Sequence, residues 1–140
     1  MVFKNILVPT DLTKKSEKAL DVAVSMVSAD AGRITLLHVI ETIAEADDEE
    51  FRDFYDRLRS RAGKRMEAMI RPYGGEKRAI RSEIAYGKRA AEIVKYASRN
   101  DVDLIVLSSH RIEKIHPAEG WATISYRVAI LAHCPVMMVK

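Results

Sequence analysis

Val102-Asp103-Leu104-Ile105-Val106-Leu107-Ser108-Ser109-His110-Arg111 is the stretch that decides the fold of this chain. Its apolar run is bounded by acidic residues on one side and by small polar residues on the other. Such a run reads as a strand buried on both faces, as in a parallel sheet covered by helices. The change at Ser108 marks the carboxyl end of that strand. In open α/β sheets, ligands bind beyond the carboxyl ends of strands, where the strand order reverses. The loop from Ser108 to Thr123 is therefore the first place to look for function.

Working outward, the same grammar repeats. Lys4 to Pro9 reads as a short first strand, ended by a proline that cannot continue a central ladder. Thr13 is placed to cap a helix over residues 14 to 30, with Leu20, Ala23, Val24 and Val27 at helical spacing and Gly32 as its stop. Arg33 to Ile40 is the second strand, and residues 41 to 50 form an acidic loop. A long helix follows, with Phe51, Phe54, Tyr55, Leu58, Ala62, Met66, Met69 and Ile70 on one stripe, expected to be core. Pro72 and the Gly74-Gly75 pair end it. Ile80 to Tyr86 alternates apolar and polar, as an edge strand with one wetter side does. Ala90, Ile93, Val94 and Ala97 mark a third helix. A last helix from about Ala122 to Ala132 should turn Ile124, Val128 and Leu131 inward. Pro135 to Val139 is the final strand. Regular alternation of strand and helix predicts a parallel α/β sheet with right-handed crossovers.

The totals agree with this reading. A chain of 140 residues is expected to be a single domain, 1 to 140, with core enough to need neither metal nor disulfide. A net charge of +3 with interspersed signs argues against a nucleic-acid surface. One cysteine, Cys134, excludes an internal disulfide and points to a reducing compartment, so a cytoplasmic setting is expected. No apolar run approaches a membrane span, and the N-terminus lacks a signal-peptide pattern.

Four pieces of the chain together resemble the universal stress protein family. They are Ile6 to Asp11 followed by Ser16 to Leu20, Leu36 to Ile40, Ala91 to Val94 leading into Asp103 to Val106, and Ile124 to Val128 leading into His133 to Val136. Each is weak alone, but in this order they cover nearly the whole chain. The resemblance implies an open five-stranded parallel sheet of order 3-2-1-4-5 with helices on both faces, the adenine nucleotide alpha hydrolase-like fold. It also implies homodimers joined through the last strand.

Nucleotide-binding members of that family carry Gly-x2-Gly-x9-Gly followed by Ser or Thr. Glycines there let backbone amides approach phosphates, and the last pair opens a helix whose N-terminus favours anions. The corresponding positions here are Ser108, Arg111, Ala122 and Thr123, so the glycines are absent and only the hydroxyl survives. Ten residues, not nine, separate Arg111 from Ala122. The adenine and ribose side is better kept, and the resemblance assigns it to Pro9, Thr10, Asp11 and Val39. With Ser109 at the strand end, these residues make up the expected nucleotide-binding set. Two readings stay open: the chain no longer binds ATP or binds something else, or it holds ATP or AMP weakly, with the Arg111 guanidinium fork gripping phosphate in place of backbone amides.

Other residues read more plainly. Asp11 has a second reading as a local cap of the turn before the first helix. His38 sits in an apolar strand and reads as a satisfied core histidine. His110, His116 and His133 have no metal-ligand spacing with Cys134, which itself reads as a small packed residue. Trp121 suits either a cover over the altered phosphate pocket or packing at the helix start. The leading expectation is a stress-response protein that acts by binding and association. The alternative, a nucleotide hydrolase or nucleotidyl-transfer enzyme, lacks a Walker Gly-x4-Gly-Lys-Ser/Thr motif and an evident acid–base pair.

Overall fold

The computed structural model describes residues 3–42, 49–74, 79–109 and 123–140. Among the described residues five strands alternate with four helices: β1 Asn5–Pro9, α1 Lys14–Met26, β2 Arg33–Ile40, α2 Glu49–Ile70, β3 Ala79–Tyr86, α3 Arg89–Arg99, β4 Leu104–Ser108, α4 Ile124–Leu131 and β5 Val136–Val139. A turn of 3-10 helix, Arg71–Tyr73, follows α2, with Pro72 in its first turn. All four strand pairings are parallel, in the order β3-β2-β1-β4-β5.

β1 is central and wholly buried because its side chains feed two cores at once. Ile6 and Val8 join Ile34, Leu36, Leu104 and Val106 beneath α1 and α2, which contribute Ala19, Leu20, Ala23, Val24, Met66 and Met69. Leu7 points the other way, with Leu37, Val39, Ile105 and Leu107, to meet Ala90, Ile93 and Ala97 of α3 and Val128 of α4. Period-2 alternation inside near-continuous apolar runs is what a sheet covered on both faces requires. Burial of each such Val, Leu or Ile side chain contributes about 1.5–3 kcal/mol.

The amino edge of the sheet is locked by polar groups. The Asp103 carboxylate accepts the backbone N–H of Lys4 at 2.9 Å and of Asn5 at 3.1 Å. The Asn5 amide donates to the carbonyls of Asn100 at 2.7 Å and Asp101 at 3.1 Å. These bonds fix the register in which Ile6 faces Leu104 and Leu7 faces Ile105.

Several local expectations are corrected. Helix α1 ends at Met26 rather than near residue 30, because Val27 turns extended and bridges Phe3, and Ser28 N–H donates to the Phe3 carbonyl at 2.7 Å. Gly32 is needed for a different reason: a Cβ there would stand 2.2 Å from the Ser28 carbonyl oxygen. Thr13 occupies the N-cap position of α1, but its hydroxyl makes no cap bond. It donates instead to Asp11. The stripe of α2 is core only in its second half: Ala62, Met66 and Met69 are buried, whereas Phe51 and Phe54 are 36% and 46% exposed. The 22-residue helix is about 33 Å long by its rise per residue, while the eight-residue strands under it span about 26 Å, so its first turns overhang the sheet. Phe54, Tyr55 and Tyr86 form an edge-to-face aromatic row at that end. Leu131, expected inward, is 53% exposed at the last position of α4.

Candidate functional site

The strand order reverses between β1 and β4: the chain moves outward through β2 and β3 on one side, then returns to add β4 and β5 on the other. At the carboxyl ends of these two neighbours lies a cleft of about 290 Å³. That is near the lower end of ligand pockets, which run roughly 300–1,000 Å³. The end of β1 and its loop supply Pro9, Thr10 and Asp11, and β4 supplies Leu107 and Ser108. The first two turns of α3 supply Arg89 and Ile93, and the start of α4 supplies Thr123, Ile124 and Ser125. In a parallel sheet each helix begins where the preceding strand ends, so two helix N-termini converge on this cleft with the strand ends.

The loop after β1 is held by a dense polar network. Thr10 N–H continues the ladder to the Leu37 carbonyl at 2.8 Å. The Thr10 carbonyl accepts from His38 Nδ1 at 2.9 Å, which fixes the tautomer that carries its proton on Nδ1. His38 is thus satisfied as expected, and its partner belongs to the cleft. Ser16 Oγ donates to the Thr13 carbonyl at 2.6 Å, so the Thr10 hydroxyl, 2.7 Å from it, donates to Ser16. The same Thr10 oxygen accepts Leu12 N–H at 2.9 Å. Asp11 Oδ1 accepts Thr13 N–H at 3.0 Å and also the Thr13 hydroxyl, an Asx-type turn. Asp11 caps the turn, and the same residue lines the cleft.

This network confines Leu12 to φ 69°, a left-handed conformation that costs an L residue about 1–2 kcal/mol. Arg65 of α2 donates from Nε to the Leu12 carbonyl at 3.1 Å and pairs with Glu17 at 2.7 Å. A residue four turns along α2 thereby helps to shape the loop that carries Thr10 and Asp11.

Of the residues expected to bind nucleotide, Pro9, Thr10, Asp11, Ser108 and Thr123 line the one cleft. Thr123 is the N-cap residue of α4, in extended conformation, with its hydroxyl 3.4 Å from that of Ser125. Val39 and Ser109 do not line it. Val39 is buried in the cluster that also holds Ile93 and Leu107, beneath the cleft. Ser109 is buried at the strand end, where its N–H donates to the Val139 carbonyl at 2.8 Å. Arg111 and Ala122 lie outside the described residues, as do His110, His116 and Trp121. Among the described residues there is no cluster of His, Cys, Asp and Glu that could hold a metal, and no helix is long and apolar enough to cross a membrane.

Sequence reasoning missed Arg89, Ile93, Leu107, Ile124 and Ser125 as lining residues. A usable signal existed for Arg89. It stands two residues after Gly87, which ends β3, and the first turn of the next helix must open at the carboxyl edge.

Comparison with known proteins places the chain in one group. The model of the Universal stress protein family matches residues 2–140. Universal stress protein YxiE of Bacillus subtilis is 29% identical over 150 residues, covering 99% of this chain and 100% of that protein. The structure of the hypothetical protein MJ0577 superposes with a TM-score of 0.82 at 27% identity, covering 100% of this chain and 97% of that one. Two structures at 20% identity share the fold: a universal stress protein in complex with cAMP, TM-score 0.70, covering 100% of this chain and 99% of that one, and an Arabidopsis thaliana family protein with AMP bound, TM-score 0.69, covering 98% and 91%.

Proposed function

Because the chain belongs to the universal stress protein family, we propose that it is a single-domain, cytoplasmic binding protein of the stress response. In this reading it works as a homodimer and holds an adenine nucleotide weakly in the cleft between β1 and β4. The observation that carries the reading is the convergence of Pro9, Thr10, Asp11, Ser108 and Thr123 on that cleft, at the carboxyl ends of the two switch-point strands. Proteins of the same fold hold cAMP and AMP. The phosphate side departs from the family pattern, because Ser108, Arg111 and Ala122 stand where glycines would let backbone amides close on phosphate. Such side chains keep phosphates off the amides and leave the grip to the Arg111 guanidinium.

Calorimetry with ATP and AMP on the wild type and on Arg111→Ala tests this. Weak binding that falls about ten- to a hundredfold in Arg111→Ala is expected, the cost of a lost charge-assisted contact. Tight ATP binding indifferent to that substitution would mean that the loop cradles phosphate with its backbone after all.

A further inference from the structure

We infer that Arg89 selects ligands by charge in this cleft, with Glu41 as its built-in competitor, so that the site takes a phosphorylated nucleoside in preference to a neutral one. The inference rests on the reading that the cleft holds an adenine nucleotide.

Among the described lining residues Arg89 is the one cation and Asp11 the one carboxylate. Asp11 directs an oxygen to Thr13 N–H and to the Thr13 hydroxyl, which draws its charge toward the loop. Arg89 is the first residue of α3, so its charge adds to the positive end of that helix. Its Nε stands 3.8 Å from Glu41 Oε1, just past the end of β2, and both side chains are about half exposed. At that separation the pair is an ion contact without a hydrogen bond. Exposed pairs of this kind contribute little, roughly 0–1 kcal/mol, and are readily surrendered.

A phosphate is the stronger partner. It presents two oxygens to the planar guanidinium fork and carries more charge than a carboxylate. Binding then proceeds as an exchange: phosphate takes Arg89, and Glu41 is released to water. Adenosine offers no anion, leaves the Arg89–Glu41 contact in place and gains nothing from it. Glu41 therefore sets a threshold that only an anionic ligand overcomes. Arg89 also gives the cleft a cationic anchor outside the loop whose glycines are missing.

The test is calorimetry of adenosine and AMP with the full chain, as wild type, Arg89→Ala, Arg89→Lys and Glu41→Gln, with circular dichroism confirming each fold. Wild type is expected to hold AMP about tenfold or more tighter than adenosine, as a charge-assisted pair implies. Arg89→Ala should lower that preference several-fold, the share held by Arg111 remaining, and leave adenosine within about twofold, since only one charged contact is lost. Arg89→Lys should keep part of the preference, with the charge but not the fork. Glu41→Gln should tighten AMP a few-fold and leave adenosine unchanged. If adenosine and AMP bind but Arg89→Ala leaves their ratio as in wild type, the assignment to Arg89 is overturned and the nucleotide reading stands. If wild type binds neither, both fall together.

Discussion

Arg65 Nε donates to the carbonyl oxygen of Leu12 at 3.1 Å, joining the C-terminal half of a long helix to the one strained residue of the loop beneath the cleft. The contact holds a left-handed leucine against the tendency of an L residue to leave that conformation. Strain of this kind persists only where neighbours over-determine it, and here they are Thr10, Arg65 and the core that receives the Leu12 side chain.

Arg65→Ala is therefore expected to destabilise the fold by about 1 kcal/mol through the lost backbone hydrogen bond, with the partly exposed Glu17 pair adding less. AMP binding should weaken with it, because Thr10 and Asp11 share the loop. Urea unfolding and calorimetry on the same variant check both effects. A variant with unchanged stability and affinity would show that the loop needs no brace from α2.

Asp103→Ala should cost about 1–3 kcal/mol, since the backbone amides of Lys4 and Asn5 lose their acceptor at the start of the central strand. Asp103→Asn keeps one carbonyl acceptor and should cost less. The urea midpoints of the two variants give the order, and equal midpoints for both and wild type would remove Asp103 from the account of β1–β4 register.

Cys134 is expected to be a quiet thiol. Burial pushes it up from its ordinary value, and the negative charge of Asp103 pushes the same way. A raised value means less thiolate at neutral pH, and the thiolate is the reactive form. Labelling by a disulfide reagent should be slower than for a free thiol at pH 7 and should keep rising with pH beyond about 8.5, the usual thiol value, where labelling of a free thiol levels off. Cys134→Ser should leave AMP binding within a few-fold. Fast labelling at neutral pH would contradict this account.

β5 stands at the sheet edge, and Val136, Met137, Met138 and Val139 are all half-buried in the single chain. An apolar edge strand invites pairing with another. Light scattering at micromolar concentration is expected to report twice the mass of one chain, and a clean monomer would sink the proposed homodimer.

The sheet was legible because its interior strands carry their own signature. Leu104 to Leu107 and Ile6 to Val8 leave no face for water, and strict order of strand and helix excludes other layer arrangements. The overhang of α2 was not legible: Phe51 and Phe54 obey the same period as Met66 and Met69, and periodicity does not reveal where the covering sheet stops. The cleft was half legible. Thr10, Asp11 and Thr123 sit at element ends that the pattern locates. Arg89 did not stand out, because a charged residue in the first turn of a helix reads as a solvated one until the sheet order brings it beside β1 and β4.

The central position of β1 has a kinetic consequence. Its neighbour on one side, β2, follows after one helix, whereas the bonds that join Asn5 to Asp103 span 98 residues. Closing so long a loop costs entropy before any contact repays it, and such pairings slow folding. The β1–β2–β3 half is expected to assemble first, with β4 and β5 arriving later to complete the sheet. The cleft lies along that seam, with Pro9, Thr10 and Asp11 on the early side and Ser108 and Thr123 on the late one. A ligand held there would select only chains that have finished folding, so its occupancy would count mature molecules. Pulse-labelled hydrogen exchange during refolding, with and without AMP, would reveal the order: protection of β4 amides in step with β1 and β2 would contradict it.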